Sequence, residues 1–466
     1  MTSILETRKS NSIISISIIT GLLILFLNLY YLDIFFDFTD FIWSVIFITV
    51  ISIIYILRFI SKENVVSLYS LFFLTSLLFL GGKFISVFLG YNGESLFELD
   101  FFVYTLLDER RSSKLFFTTI SAFLSLEFGY YFSRIFFKRN DNNIYSYKLI
   151  LNMNKYVLFS IIIIISLLLG MSSYSTVLKV LDGGYLALYV SQAEEYGFTY
   201  LALLKIILLA STGIFLAQKN KNIQTIFLFM MGLYFLIGLI LGSRGGFITY
   251  LLFLLWYKHD FGLKKANLVK FLFIVLGLAF FLSSIFGLIS LRVTEANQMN
   301  AYQRLLKLIN DQGTTLMIFN ESLYVDNYPI IPYFQNFIPG SSFIYSTFVS
   351  DIYPYDNSFG AYISYTLNPE AYNFGYGLGW SFFSDAYLYG FSTIILFCFW
   401  VAVFSIFINY LQINITKNIY IKIITISIVS PILFLPRSGL NAVFPLIPYI
   451  LILFFLMKLL SGSLKR

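Results

Sequence analysis

The chain has 466 residues, is 58% hydrophobic and 12% charged, carries a net charge of +7 and has a mean hydropathy of +0.81. A soluble domain is nearer a quarter charged, so these values exclude a soluble globular protein and leave a polytopic membrane protein. The single cysteine, Cys398, excludes an intramolecular disulfide, and in a membrane chain a positive balance marks cytoplasmic loops rather than a nucleic-acid partner.

Apolar runs separated by polar stretches predict about twelve transmembrane helices and an all-α fold. The first run, 12–32, is too long for a signal-peptide core and has no small-residue cleavage site, so it reads as a helix. The next runs lie at 39–57, 65–89, 114–137, 156–178 and 199–217. From Ile223 to Tyr257 the chain then runs 35 residues with Arg244 as its only full charge. One helix of that length would be about 52 Å long at ~1.5 Å per residue, against a hydrocarbon core of ~30 Å. The run must fold back on itself. Gly242, Gly245 and Gly246 around Arg244 supply the bend, giving helices at 223–241 and 245–257. The remaining spans are 268–291, 380–409, 419–435 and 440–460.

With the N-terminus inside, most of the 31 basic residues fall in cytoplasmic segments, as in Lys138, Arg139 and Lys148 or Lys258, Lys264 and Lys265. The outer segments collect most of the acids. The positive-inside rule therefore predicts both termini in the cytoplasm and the Arg244 bend on the outer face. It also divides the chain into nine helices over 1–291, one large outer loop over 292–379, and three helices over 380–466. That loop holds Pro329, Pro332, Pro339, Pro354 and Pro369, five of the nine prolines, and is rich in Tyr, Asn and Gly. It reads as an ordered aromatic cap rather than a linker.

Ionisable residues at the membrane are costly and mark candidate sites. Arg244, Arg437 in "FLPRSGLNAVF" and Arg292 in "LISLRVTEAN" share the outer level of separate helices. Together they suit a polyanion, because the guanidinium fork binds phosphate oxygens bidentately and stays charged. Each also fits an interfacial arginine whose stem lies along apolar surface. Asp385, at the outer start of the tenth predicted helix, suits a general base or an arginine partner, and equally a helix-start carboxylate favoured by the macrodipole. Glu127 lies deeper and reads as a structural partner of Lys83 or Lys205. The glycines at 375, 377 and 379 lack the strand–helix context of a nucleotide loop. The one histidine, His259, sits in a cytoplasmic turn, so neither a His-based metal site nor an outer Ser-His-Asp triad is expected, and no cofactor is expected. An outer-face reaction must then use an activated substrate that arrives through the membrane.

These residues resemble the bacterial oligosaccharide repeat-unit polymerases of the O-antigen polymerase (Wzy) type. The likeness rests on four stretches: Gly-Ser-Arg-Gly at 242–245, "DQGTTLMIF" at 311–319 followed by "IPYFQNFIPG" at 331–340, "GLGWSFFSDAYLYGF" at 377–391, and "PRSGL" at 436–440. The third is similar to the family's Gly-x-Gly-x-Ser then acid-x-Tyr pattern, with Asp385 where the family commonly has Glu. The resemblance implies a membrane-embedded glycosyltransferase of the GT-C kind in the bacterial inner membrane. Its substrates would be repeat units on undecaprenyl pyrophosphate, joined at the periplasmic face, with the membrane lipid and a chain-length regulator as further partners. Asp385, Arg244 and Arg437 would be catalytic, and Arg292, Ser243, Ser381, Arg304 and Tyr387 would bind substrate. Glu321 and Asp351 are the other outer-loop acids to test as base. Two alternatives share the architecture. An O-antigen ligase has the same donor but typically carries a histidine in the large outer loop, which this loop lacks. A repeat-unit flippase usually shows two related halves, and no internal repeat is seen here.

Overall fold

The structure is a computed structural model and describes residues 2–137, 154–183, 200–218, 220–240, 244–261, 300–348 and 353–463. The chain opens with α1 (Thr2–Tyr31) and α2 (Asp40–Ile60), two apolar helices. Thr39 caps α2 by accepting the Ile42 N–H, and Asp40 in its first turn complements the helix dipole. The single span expected at 65–89 is instead two helices, α3 (Leu68–Phe79) and α4 (Gly82–Phe88), bent by 67°. Glycine permits the break. A Cβ on Gly82 would lie 2.7 Å from the Ile309 carbonyl oxygen, so only a bare backbone allows this approach. A short hairpin follows, β1 (Glu98–Phe101) and β2 (Val103–Leu106), antiparallel with Glu98 opposite Leu106. The all-helical expectation missed it, because four-residue strands leave almost no periodicity to read.

Asp108 caps α5 (Glu109–Phe136), and α6 (Lys155–Gly183), α7 (Tyr200–Leu216), α8 (Lys221–Ile240) and α9 (Arg244–Phe261) follow. The ninth expected helix, 268–291, lies outside the described residues. Within the expected loop the chain forms short helices: α10 (Ala301–Gln312), α11 (Thr315–Tyr324), α12 (Ile331–Gln335), α13 (Ser341–Phe348), a 3-10 turn at Pro354–Asn357, α14 (Phe359–Leu367) and α15 (Pro369–Asn373). Pro332, Pro354 and Pro369 each stand in a first turn, where no backbone donor is lost. The span expected at 380–409 divides into α16 (Phe382–Tyr389) and α17 (Ile394–Asn414), with Phe391 and Ser392 left-handed between them. Last come α18 (Ile419–Phe434), 3-10 turns at Leu435–Arg437 and Leu440–Ala442, and α19 (Leu446–Ser463). Among the described residues seven helices are long and apolar enough to cross a membrane, and α3–α4 makes an eighth if the bent pair is one span.

The chain divides into two compact units. The first comprises Met1–Phe137, Trp256–Tyr324 and Trp380–Ile408. In it α1 packs along α5, α4 lies between α2 and α10, and α11 meets α16. Its core is aromatic: Phe47 stacks on Phe84 at 4.5 Å, and Trp43 meets Phe116 at 4.6 Å. Glu127 is fully buried here, and its partner is Arg58, 3.5 Å away, rather than Lys83. The Tyr69 hydroxyl also donates to Glu127 at 2.9 Å. Lys83 donates instead to the carbonyl of Glu98, tying α4 to the hairpin.

The second unit comprises Lys138–Leu255, Val325–Gly379 and Asn409–Arg466. Here α7 packs against α18 and α19, with α6 and α8 beside it. Gly213 sets the α7–α18 contact. Its N–H donates to Ser427 Oγ at 2.9 Å, and a Cβ there would lie 1.9 Å from the Ile423 carbonyl oxygen.

Candidate functional site

Helices are present on both sides of the expected Arg244 bend, and residues 241–243 between them lie outside the described residues. α8 and α9 lie side by side, joined by the Tyr250 hydroxyl donating to the Leu228 carbonyl at 2.5 Å and by Phe235 stacked on Tyr250 at 5.1 Å. Arg244 is the first residue of α9, and Ser243 in the turn lies outside the described residues. The same helix packs against α18. Thr249 and Ser430 hydroxyls meet at 3.4 Å, and a Cβ on Gly245 would lie 2.4 Å from the Phe434 ring. The start of α9 therefore lies beside the end of α18. Three residues beyond Phe434, in the 3-10 turn begun at Leu435 and Pro436, comes Arg437. Two arginines nearly two hundred residues apart in the chain are thus carried by one pair of helix ends in the second unit. The glycine beside Arg244 is what allows that approach.

The acids belong to the first unit. Ser381 caps α16 by accepting the Phe383 N–H at 3.2 Å, and Asp385 stands in the first turn. Asp385 has no exposed surface, and its Oδ1 accepts the indole N–H of Trp380 at 2.8 Å. Tyr387 is nearly buried and meets the Phe397 ring edge-on at 6.2 Å. α11 lies against α16, with the Ser322 hydroxyl donating to Ser384 Oγ at 2.8 Å. Arg304 stands half-buried on the amphipathic α10. Arg292 and Asp351 lie outside the described residues.

Glu321 has side-chain partners that sequence spacing did not reveal. Asn320 Nδ2 donates to its Oε1 at 3.1 Å, and Thr105 of β2 is close enough to favour the ionised carboxylate. The Arg111 guanidinium lies over the Tyr324 ring at 4.7 Å, close enough to act on Glu321 electrostatically. Burial pushes the Glu321 carboxyl above the ordinary carboxylate range, outweighing the lowering by Asn320, Thr105 and Arg111. Among the described residues no group of three or more His, Cys, Asp or Glu side chains is arranged to hold a metal ion.

A family model for the O-antigen polysaccharide polymerase Wzy matches residues 13–463, nearly the whole chain. The chain belongs to the O-antigen polysaccharide polymerase family. No curated protein and no solved structure matches it. Membership makes it a membrane protein of polysaccharide biosynthesis, in agreement with its apolar helices.

Proposed function

We propose that the protein polymerises oligosaccharide repeat units carried on undecaprenyl pyrophosphate, at the periplasmic face of the inner membrane. The growing glycan leaves its pyrophosphate carrier and joins a hydroxyl of the next lipid-linked unit. The bond from the anomeric carbon to the pyrophosphate oxygen breaks, a new bond to the acceptor oxygen forms, and a carboxylate takes the hydroxyl proton. The leaving group is a pyrophosphate, so positive groups that neutralise its developing charge lower the barrier. No nucleotide or metal is required for this account, because the donor arrives already activated.

The packing of α9 against α18 is the observation that carries this reading. It sets the start of a helix, bearing Arg244, beside the turn that bears Arg437. The first-turn N–H groups of α9 add to the positive field there. Arginine rather than lysine suits the task, since its planar fork meets two phosphate oxygens at once. Arg292, Ser243, Ser381, Arg304 and Tyr387 are assigned to substrate binding.

The test is polymer synthesis in cells and with purified protein. Arg244→Ala and Arg437→Ala are expected to abolish polymer while the protein remains inserted and abundant. Replacement of either by lysine is expected to restore only a minor part of the activity. Wild-type polymer from Arg244→Ala would overturn the pyrophosphate role.

A further inference from the structure

The proposed transfer needs one group to take the proton of the attacking hydroxyl, and two acids stand on the packed helices α11 and α16. Their surroundings differ in ways that assign them different work. Asp385 is wholly enclosed and engaged by the Trp380 indole, so substrate reaches it only if α16 moves. Glu321 keeps 9% of its surface exposed. Its hydrogen-bond donor, the Asn320 amide, is neutral, and among the described residues it makes no ion pair. A carboxylate has about four lone-pair sites, so this donor leaves it capacity to accept from a hydroxyl. Arg111 is held over the Tyr324 ring instead of closing on the carboxylate. Beside it, Asn320 Oδ1 is buried and has no hydrogen bond among the described residues. Two neighbouring acceptors suit a ligand that brings hydroxyl donors, which is the chemistry of a sugar.

We propose that Glu321 is the proton acceptor of the transfer, in an acceptor-sugar site formed with Thr105, Arg111, Asn320 and Tyr324, and that Asp385 is a positioning residue. This rests on the polymerase reading above. As the acceptor oxygen bonds the anomeric carbon, its proton passes to the Glu321 carboxylate, the pyrophosphate departs with the bonding pair, and Glu321 later returns the proton to water. Burial supports the assignment, because a carboxyl raised above its ordinary range is better matched to proton transfer near neutral pH. Asp385 acts at one remove. With Trp380 it fixes the first turn of α16, and the Ser384–Ser322 hydrogen bond one residue away passes that placement to α11.

The test uses the full-length protein in detergent or lipid with a synthetic polyprenyl-pyrophosphate-linked repeat unit, followed as kcat, KM and their pH dependence. The charged and titratable groups acting on Glu321 and on its neighbour Tyr324 are Arg111, Arg110 and Asp108 at the start of α5. Only the ionised Glu321 accepts a proton, so wild-type kcat is expected to fall as pH drops through its raised value. Glu321→Gln is expected to lower kcat by roughly 10²–10⁴-fold with little change in KM, and to erase that acidic limb. Glu321→Asp recovers part of the rate and keeps the limb. Asp385→Asn is expected to lower kcat by less than about tenfold and to keep the limb, the mark of a group acting through another. Asn320→Ala removes the hydrogen-bond donor to the ionised form and is expected to move the limb to higher pH, which tests the site even if Glu321→Gln fails to accumulate. An acidic limb that survives in Glu321→Gln, or that is unmoved in Asn320→Ala, overturns the assignment. So does a limb lost in Asp385→Asn. A wild-type protein that makes no polymer from this substrate counts against the polymerase reading instead.

Discussion

Two carboxylates of the first unit, Glu127 and Glu321, are both largely removed from water, yet they are built for opposite purposes. Glu127 has an arginine 3.5 Å away, a tyrosine hydroxyl donating to it, and no exposed surface. Its partner Arg58 is enclosed in turn by the rings of Tyr69, Phe73, Tyr130 and Tyr55, at 5.2 to 6.0 Å from the guanidinium. Glu63, with Arg134 and Tyr130 on it, extends the cluster. Glu321 has a neutral amide donor and a cation kept to one side on an aromatic face. A close ion pair commits a carboxylate to holding helices together. A carboxylate solvated by neutral dipoles, with part of its surface open, stays available to a proton. Burial alone does not distinguish structure from chemistry; the identity of the nearest donor does.

The largest expected effect comes from stripping Glu127 of its partner. Arg58→Ala leaves a buried charge uncompensated and is expected to cost about 3–5 kcal/mol, read as a lowered midpoint of thermal unfolding in detergent. Replacing both members, Arg58→Met with Glu127→Leu, is expected to recover most of that loss, because an apolar pair carries no desolvation penalty. If the double variant is no better than the single one, the pair is not the source of the cost.

A smaller effect is expected where α5 meets α17. A Cβ on Gly129 would lie 2.3 Å from the Ala402 carbonyl oxygen, so Gly129→Ala must push the two helices apart. The expected loss is about 1–3 kcal/mol in the same assay. An unchanged midpoint would mean that the helix carrying Glu127 is less tightly held than this contact implies.

On the other side of the comparison, Trp380→Phe removes the indole donor to Asp385 and is expected to cost about 1–2 kcal/mol. Polymerisation should fall modestly and keep its dependence on pH. Loss of the acidic limb in this variant would make Asp385, not Glu321, the titrating group. Ser322→Ala, which removes the hydrogen bond between α11 and α16, is expected to give the smallest change, about 0.5–1.5 kcal/mol. Reporter fusions complete the set. Residues 300–375 are expected to report outside and His259 inside, and a cytoplasmic signal from residues near Glu321 would remove the chemistry assigned to it.

The membrane class and the family were legible from composition and from four short stretches, and the hairpin at Arg244 followed from length against bilayer thickness. Helix ends were legible where a local signal marked them, as with Arg244 opening α9. They were misread where hydropathy continued across a break. The runs 65–89 and 380–409 stay apolar through Gly81–Gly82 and Gly390–Thr393, so a hydropathy reading joins what backbone conformation separates. Of the proposed residues, Arg244, Arg437 and Asp385 were singled out by their rarity in apolar surroundings. Glu321 was visible only as one further acid in the loop. Arg111, Asn320 and Thr105 carried no signal, because each is an ordinary residue until the fold sets it beside a carboxylate.

What the amino-acid sequence determined by itself was therefore the class of molecule: a multi-pass membrane protein of the O-antigen polymerase family, with arginines in glycine-flanked turns. Those properties are local, set by side-chain transfer energies and backbone freedom within a few residues. Tertiary structure alone decided which ionisable group faces which partner. Tyr69 and Glu127 are 58 residues apart, and Ser322 and Ser384 are 62 apart. No periodicity within a helix reports on such pairs. Hydrogen bonds form only within about 3.5 Å and ion-pair energies weaken with separation, so the chemistry of each acid is settled only when packing brings those distant residues together.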